Sequence, residues 1–175
     1  MVTNGEITKG ISTLYDTINR IIEEARAAVY RTANITMVRA YWHIGRVIVE
    51  DEQKGKERAE YGKQVLKQLS QKLTKKHGRG FDESNLRHMR NFYLVYPKCD
   101  ALRPELSWTH YRLLLKVGNE QARLFYMQET IDCNWSTRTL ERQIGNLYYE
   151  RMLMSHNTQI VKDEAAEKEI RQEPK

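Results

Sequence analysis

Arg87 and Asn91 stand four positions apart in ESNLRHMRNFY, with Ser84, Asn85, His88 and Arg90 around them. On a helix advancing 100° per residue, a spacing of four brings two side chains onto one face. These residue types share a chemistry. A guanidinium pairs through two hydrogen bonds with the O6/N7 edge of guanine, and a carboxamide does the same with adenine. Immediately upstream, QKLTKKHGRG places Lys72, Lys75, Lys76 and Arg79 before and within a glycine-containing turn. Cations placed there reach phosphate oxygens, which fixes position without reading sequence. The candidate DNA-contacting set is therefore Lys72, Lys75, Lys76, Arg79, Ser84, Asn85, Arg87, His88, Arg90 and Asn91. Asp82 and Glu83 oppose this reading, because carboxylates at the start of the second helix repel phosphate; a capping role would account for them.

The charge around this segment supports a polyanionic partner. The 175-residue chain has a formal net charge of +6 and a pI of about 9.3. Between Gln53 and Lys98 twelve Lys/Arg face four acids, a local excess of +8 that exceeds the total for the whole chain. Such a block favours nucleic acid, duplex or branched, over a membrane surface. A solvated helix face has the same composition, however, so the alternative is a dimerisation or protein-docking helical module that makes no direct DNA contact.

Catalytic and metal chemistry find little support. His43, His77, His88, His110 and His156 are scattered and none has the HExxH spacing. Cys99 and Cys133 form no CxxC pair and have no evident His/Asp setting for a nucleophile. Glu167-Lys168 lies in a polar run without an apolar strand to hold a metal site. GxGxxG and Walker loops are absent. The expectation is a chain without an active site, cofactor or metal of its own. Two thiols without a secretory signal point to a reducing cytoplasm, and no apolar run approaches the roughly 18 residues that a membrane span needs.

The elements that must position these residues read as helices throughout. Ile7, Ile11, Leu14, Ile18, Ile21, Ile22, Ala25, Ala28 and Val29 recur at helical spacing, and the pattern continues through Val38, Tyr41, Trp42, Ile44, Val47 and Ile48. This predicts one very long helix, or a tandem pair broken near Asn34, from about Thr8 to Asp51. Its apolar stripe needs a cover, from later helices, a second copy, or both. A loop is expected at 54–56, then a helix from about Tyr61 to Lys76. Asp82 or Ser84 caps the next helix, which Pro97 ends. Ser107, Asn119 and Ser136 are further N-caps, with Leu106/Tyr111 and Trp135/Leu140 as hydrophobic staples. A last helix is expected to run past Leu147 and fade after Leu153. The fold class is all-α, with helix-turn-helix-like units.

A second helix pair, Gln121 to Glu150, presents Thr137, Arg138 and Arg142 at the start of its second member. It is a further DNA or protein contact, or simply a capped helical hairpin. The expected organisation is a long amphipathic segment (1–52), a helix-turn-helix-like domain (53–154) and a charged tail (155–175).

Five blocks in order carry a resemblance: YWHIGRVIVE, YGKQVLKQLSQKL, GRGFDESNLRHMRNFYLVYP, LSWTHYRLLLKV and NWSTRTLERQI. Together, over roughly Ile11 to Leu153, they resemble the N-terminal domain of YhcG-like bacterial nucleases. The resemblance implies a helix-turn-helix-type DNA-binding or interaction module preceding a Mg-dependent PD-(D/E)XK nuclease domain. It implies in turn that this chain is the non-catalytic part of a longer protein, its tail leading towards the nuclease. Homodimerisation through the N-terminal helix is compatible with both readings.

Overall fold

The computed structural model describes residues 4–54, 59–155 and Asp163, with side chains for 11–53, 64–155 and Asp163. Residues 55–58 lie outside the described set, and with them most of the expected loop. So does the charged tail, apart from Ser155 and Asp163.

The expected all-α class is the one observed. Seven α-helices and no strand occur among the described residues: α1 Asn4–Lys54, α2 Ala59–His77, α3 Glu83–Val95, α4 Trp108–Leu114, α5 Glu120–Asp132, α6 Thr137–Gly145 and α7 Tyr148–Met154. Short 3-10 turns at Arg79–Phe81 and Cys99–Ala101 flank α3. No helix among the described residues is long and apolar enough to cross a membrane.

The first helix is a single rod of 51 residues, roughly 75 Å long at 1.5 Å per residue. It has no break at Asn34. That side chain is exposed, so its polarity needs no accommodation, and neither Pro nor Gly interrupts the stretch from Ile11 to Ile44.

The C-terminal half of α1 is built into the body of the molecule. Val38 and Trp42 join the main core with Phe92, Tyr96, Leu106 and Tyr111. Farther along α1, Ile48 packs with Leu66, Leu86 and Met89 in a second cluster. Gly45 lets α1 cross α3 closely. A Cβ there would lie 2.0 Å from the Met89 carbonyl oxygen and 3.2 Å from the Tyr93 Cβ. The crossing is further fixed by Trp42, whose buried Nε1–H donates to the Tyr96 carbonyl at 2.6 Å.

The other helix ends follow the chemistry of their caps. Asp82, Ser107, Asn119 and Ser136 each accept a backbone N–H of the helix they open. The staple residues Leu106, Tyr111, Trp135 and Leu140 are all buried. The final helix differs from expectation. Instead of one run past Leu147 there are two short helices, parted where Leu147 adopts a left-handed conformation with φ 53°. Tyr126 of α5 holds the break: its hydroxyl accepts the Tyr149 N–H at 3.1 Å and donates to the Gln143 carbonyl at 3.4 Å. Helical periodicity carries no record of that cross-helix clamp, so the sequence pattern reads as continuous.

Along α1, the first described side chain to be buried is Val38. N-terminal to it, Ile11, Leu14, Ile18, Ile21, Ile22 and Val29 remain exposed, Ile11 by 62% and Val29 by 68%. This apolar stripe and the docked face of Val38, Trp42, Gly45 and Val49 lie on different sides of the rod, roughly 150° apart at 100° per residue.

Candidate nucleic-acid interface

The turn between α2 and α3 is locked from several directions. Gly78, at φ +90°, takes a conformation that side chains disfavour, and its N–H closes α2 on the Thr74 carbonyl at 3.0 Å. Phe81 anchors the 3-10 turn between the rings of His77 and Tyr41, at centroid distances of 5.8 and 6.5 Å. Asp82 then caps α3 through the Asn85 N–H at 2.9 Å. The carboxylate that opposed phosphate binding in the sequence thus has a structural task.

Two members of the candidate set are engaged inside the fold. Both ends of the Asn85 amide are occupied: Nδ2 donates to the Gly80 carbonyl, and Oδ1 accepts from Trp108 Nε1 at 3.0 Å. Asn85 therefore bolts the turn to α4. Arg90 reaches back to α1, its Nε 2.6 Å from Glu52 Oε2. The Asn85 amide is thus engaged at both ends, while Arg90 commits its Nε to Glu52 and keeps part of its side chain exposed.

The remaining members are at the surface. Lys72, Lys75, Lys76 and Arg79 are exposed at the end of α2 and in the turn, where cations also complement the carbonyl end of the helix dipole. Ser84, Arg87 and Asn91 are exposed on α3. Arg87 is paired with Glu83 one turn earlier, so part of its charge is neutralised locally. His88 is half-buried.

His88 reveals neighbours that sequence reasoning missed. Its pKa is held below the ordinary histidine value, first by burial and then by the positive charges of Arg112 and Lys116, with Asp82 pulling the other way. Arg112 and Lys116 are exposed residues at the outer side of α4 and just beyond its end. Lys116 also approaches Glu141 of α6 at 4.0 Å. Their spacing of four in WTHYRLLLKV was legible as one helix face; that this face adjoins α3 required the tertiary packing. The result is a polar surface of interleaved charges shared by α3 and the end of α4: Arg87, His88 and Asn91 with Glu83 from the first, Arg112 and Lys116 from the second, with Glu141 of α6 beside Lys116.

The α4 N-terminus is tied to the second helix pair through His110. Its Nδ1 accepts the Ser107 N–H at 3.1 Å, completing a capping box, and its Nε2–H donates to the Trp135 carbonyl at 3.1 Å. Burial lowers the His110 pKa, partly offset by the Trp135 carbonyl, so the neutral ring with its proton on Nε2 fits both contacts. At the start of α6, Arg138 is exposed, whereas Thr137 and Arg142 are half-buried. Among the described residues, no three His, Cys, Asp or Glu side chains are grouped as a metal site requires.

Comparison with known proteins bears on this geometry. Residues 17–151 match the DUF1016 N-terminal domain, a range that holds most of α1 and nearly all of the body. A protein of Escherichia coli (strain K12) named "Putative nuclease YhcG" is 37% identical over 182 aligned positions, which cover 86% of this chain and 48% of that protein. The chain thus spans about half the length of that relative. No solved structure matches.

Proposed function

The chain belongs to the family of DUF1016 N-terminal domains, and we propose that it is the non-catalytic, DNA-contacting part of a nuclease. In this reading α2 and α3 work as a helix-turn-helix unit whose contact surface extends onto α4. Arg87, His88, Asn91, Arg112 and Lys116 meet the nucleic acid directly. Lys72, Lys75, Lys76 and Arg79 neutralise phosphates at the end of α2, and Arg138 is a further contact from α6. A C-terminal PD-(D/E)XK domain, Mg-dependent, supplies the cleavage in the longer protein.

The observation that supports this reading is the packing of α4 against α3, which sets exposed Arg112 and Lys116 near half-buried His88. Arg112 and Lys116, the latter only loosely paired with Glu141 at 4.0 Å, stand beside exposed Asn91, where a phosphate backbone can meet them. The double variant Arg112→Glu/Lys116→Glu tests it by fluorescence anisotropy on labelled duplex and branched DNA. Affinity is expected to fall at least tenfold at low salt, and the log–log salt slope to flatten by about 0.9 for each phosphate that is no longer neutralised. Unchanged affinity and slope would remove this surface from the interface.

A second reading, compatible with the first, is self-association through α1. It is favoured by the exposed stripe from Ile11 to Val29, which has no cover within the described chain.

A further inference from the structure

The exposed half of α1 carries more information than its hydrophobicity. Ile11, Leu14, Ile18, Ile21, Ala25, Ala28, Thr32 and Ile35 alternate at intervals of three and four, the repeat that keeps one seam facing a partner helix in a left-handed coiled coil. Along that seam the side chains change size. The N-terminal part is large (Ile11, Leu14, Ile18, Ile21), and the C-terminal part is mainly small (Ala25, Ala28, Thr32). Around the small residues the surface forms an open apolar trough of about 510 Å³, lined by Ala28, Val29, Thr32, Ala33, Thr36 and Met37.

Resting on the self-association reading above, we infer that the occupant is a second copy of this chain, with the two α1 helices running antiparallel. A two-fold axis near Glu23 sets Leu14 opposite Thr32 of the second copy, Ile18 opposite Ala28, and Ile21 opposite Ala25. These three layers each pair a large side chain with a small one, so large residues of each copy meet the small part of the other, while the outermost layer pairs Ile11 with Ile35. A parallel pair in register would instead stack Ile on Ile at one end and Ala on Ala at the other. Helices held at a nearly constant 8–10 Å separation cannot fill both ends equally well.

Charge and placement agree with this occupant. A continuous exposed apolar seam, unlike apolar residues scattered singly, marks an interaction surface. Between residues 11 and 37 three acids (Asp16, Glu23, Glu24) balance three arginines (Arg20, Arg26, Arg31), so the arm neither repels its copy nor attracts a polyanion. Glu24, which approaches its own counterpart near the axis, already has Arg20 at 3.6 Å. The seam lies on a different side of α1 from the docked face, the two drawing within about 60° of each other only at Ile35 and Val38. The two bodies then sit at opposite ends of the paired rods, about 65 Å apart along the axis at 1.5 Å per residue.

Disulfide trapping tests the orientation in a Cys99→Ser/Cys133→Ser background. Chains carrying Leu14→Cys are mixed with differently tagged chains carrying Thr32→Cys and mildly oxidised. The expected product is the mixed 14–32 dimer, at least tenfold over either like-with-like dimer. Dominant 14–14 and 32–32 dimers would overturn the antiparallel arrangement while leaving self-association intact. A monomeric wild-type mass by light scattering would overturn both. Should the cysteine variants not assemble, small-angle X-ray scattering of the wild-type dimer decides: two bodies about 65 Å apart support the inference, and bodies side by side contradict it.

Discussion

The two halves of α1 share a helix, a residue vocabulary and a helical repeat, yet they have opposite fates. In the half from Val38 onward, most large apolar groups are covered, Val47 being the exception: Val38 is fully buried and Trp42 is 5% exposed. In the half before it, Ile18 is 47% exposed and Ile11 62%. The stripe also moves round the rod between them. A helix that changes its apolar face midway is suited to two different partners: one is the body of its own chain, and in the reading proposed above the other is a second copy. Exposure thereby becomes informative, because a single apolar residue at the surface is ordinary and a continuous seam is not.

The largest expected effect separates the halves by what packing they tolerate. Gly45→Ala forces a methyl group into the Met89 carbonyl and should cost about 3 kcal/mol, the upper part of the range for overpacking. Urea denaturation of the variant measures it. An unchanged midpoint would mean that α1 and α3 do not cross this closely. In the exposed half the outcome should divide differently. Ile18→Asp should leave the stability of the body within about 0.5 kcal/mol but weaken assembly by about a hundredfold, since each dimer would bury two carboxylates. Analytical ultracentrifugation across a dilution series reads the second effect, and the same urea experiment reads the first.

A smaller effect concerns pH. The His110 pKa is lowered in the folded chain, so the neutral ring favours folding. Its contribution is complete above the unfolded value near 6.5 and is lost as pH falls from there through the folded pKa. His110→Ala should cost about 1 kcal/mol at pH 7.5, the worth of a cap, and the gap from wild type should narrow on acidification to pH 5. Thermal melts at both pH values check this; a constant gap would assign His110 a packing role alone. The smallest change is Arg90→Ala. It removes the ion pair with Glu52, whose two side chains are 39% and 28% exposed, and should cost about 0.5–1 kcal/mol without altering DNA affinity. A clear drop in affinity in anisotropy titrations would return Arg90 to the interface.

Local physics explains which features were legible in the sequence. Asp82, Ser107, Asn119 and Ser136 cap their helices because capping involves residues only a turn apart. The apolar periodicity of α1 likewise needs no tertiary knowledge to be seen. Side-chain destinations that depend on distant elements were hidden. Asn85 and Arg90 have the types expected of a nucleic-acid face, but one faces Trp108 and the other Glu52. Arg112 and Lys116 lie outside the basic block, and only the packing of α4 beside α3 brings them to His88. The break at Leu147 depends on Tyr126, which is more than twenty positions away.

The contrast between the halves of α1 makes one demand that can be met with the unmodified chain. Static light scattering at tens of micromolar should give a mass near twice 20.8 kDa, as the proposed pairing of the seam ahead of Val38 with its counterpart requires. A mass that stays at the single-chain value across that range would mean the seam remains in water, and the assembly role of the first half of α1 would be lost.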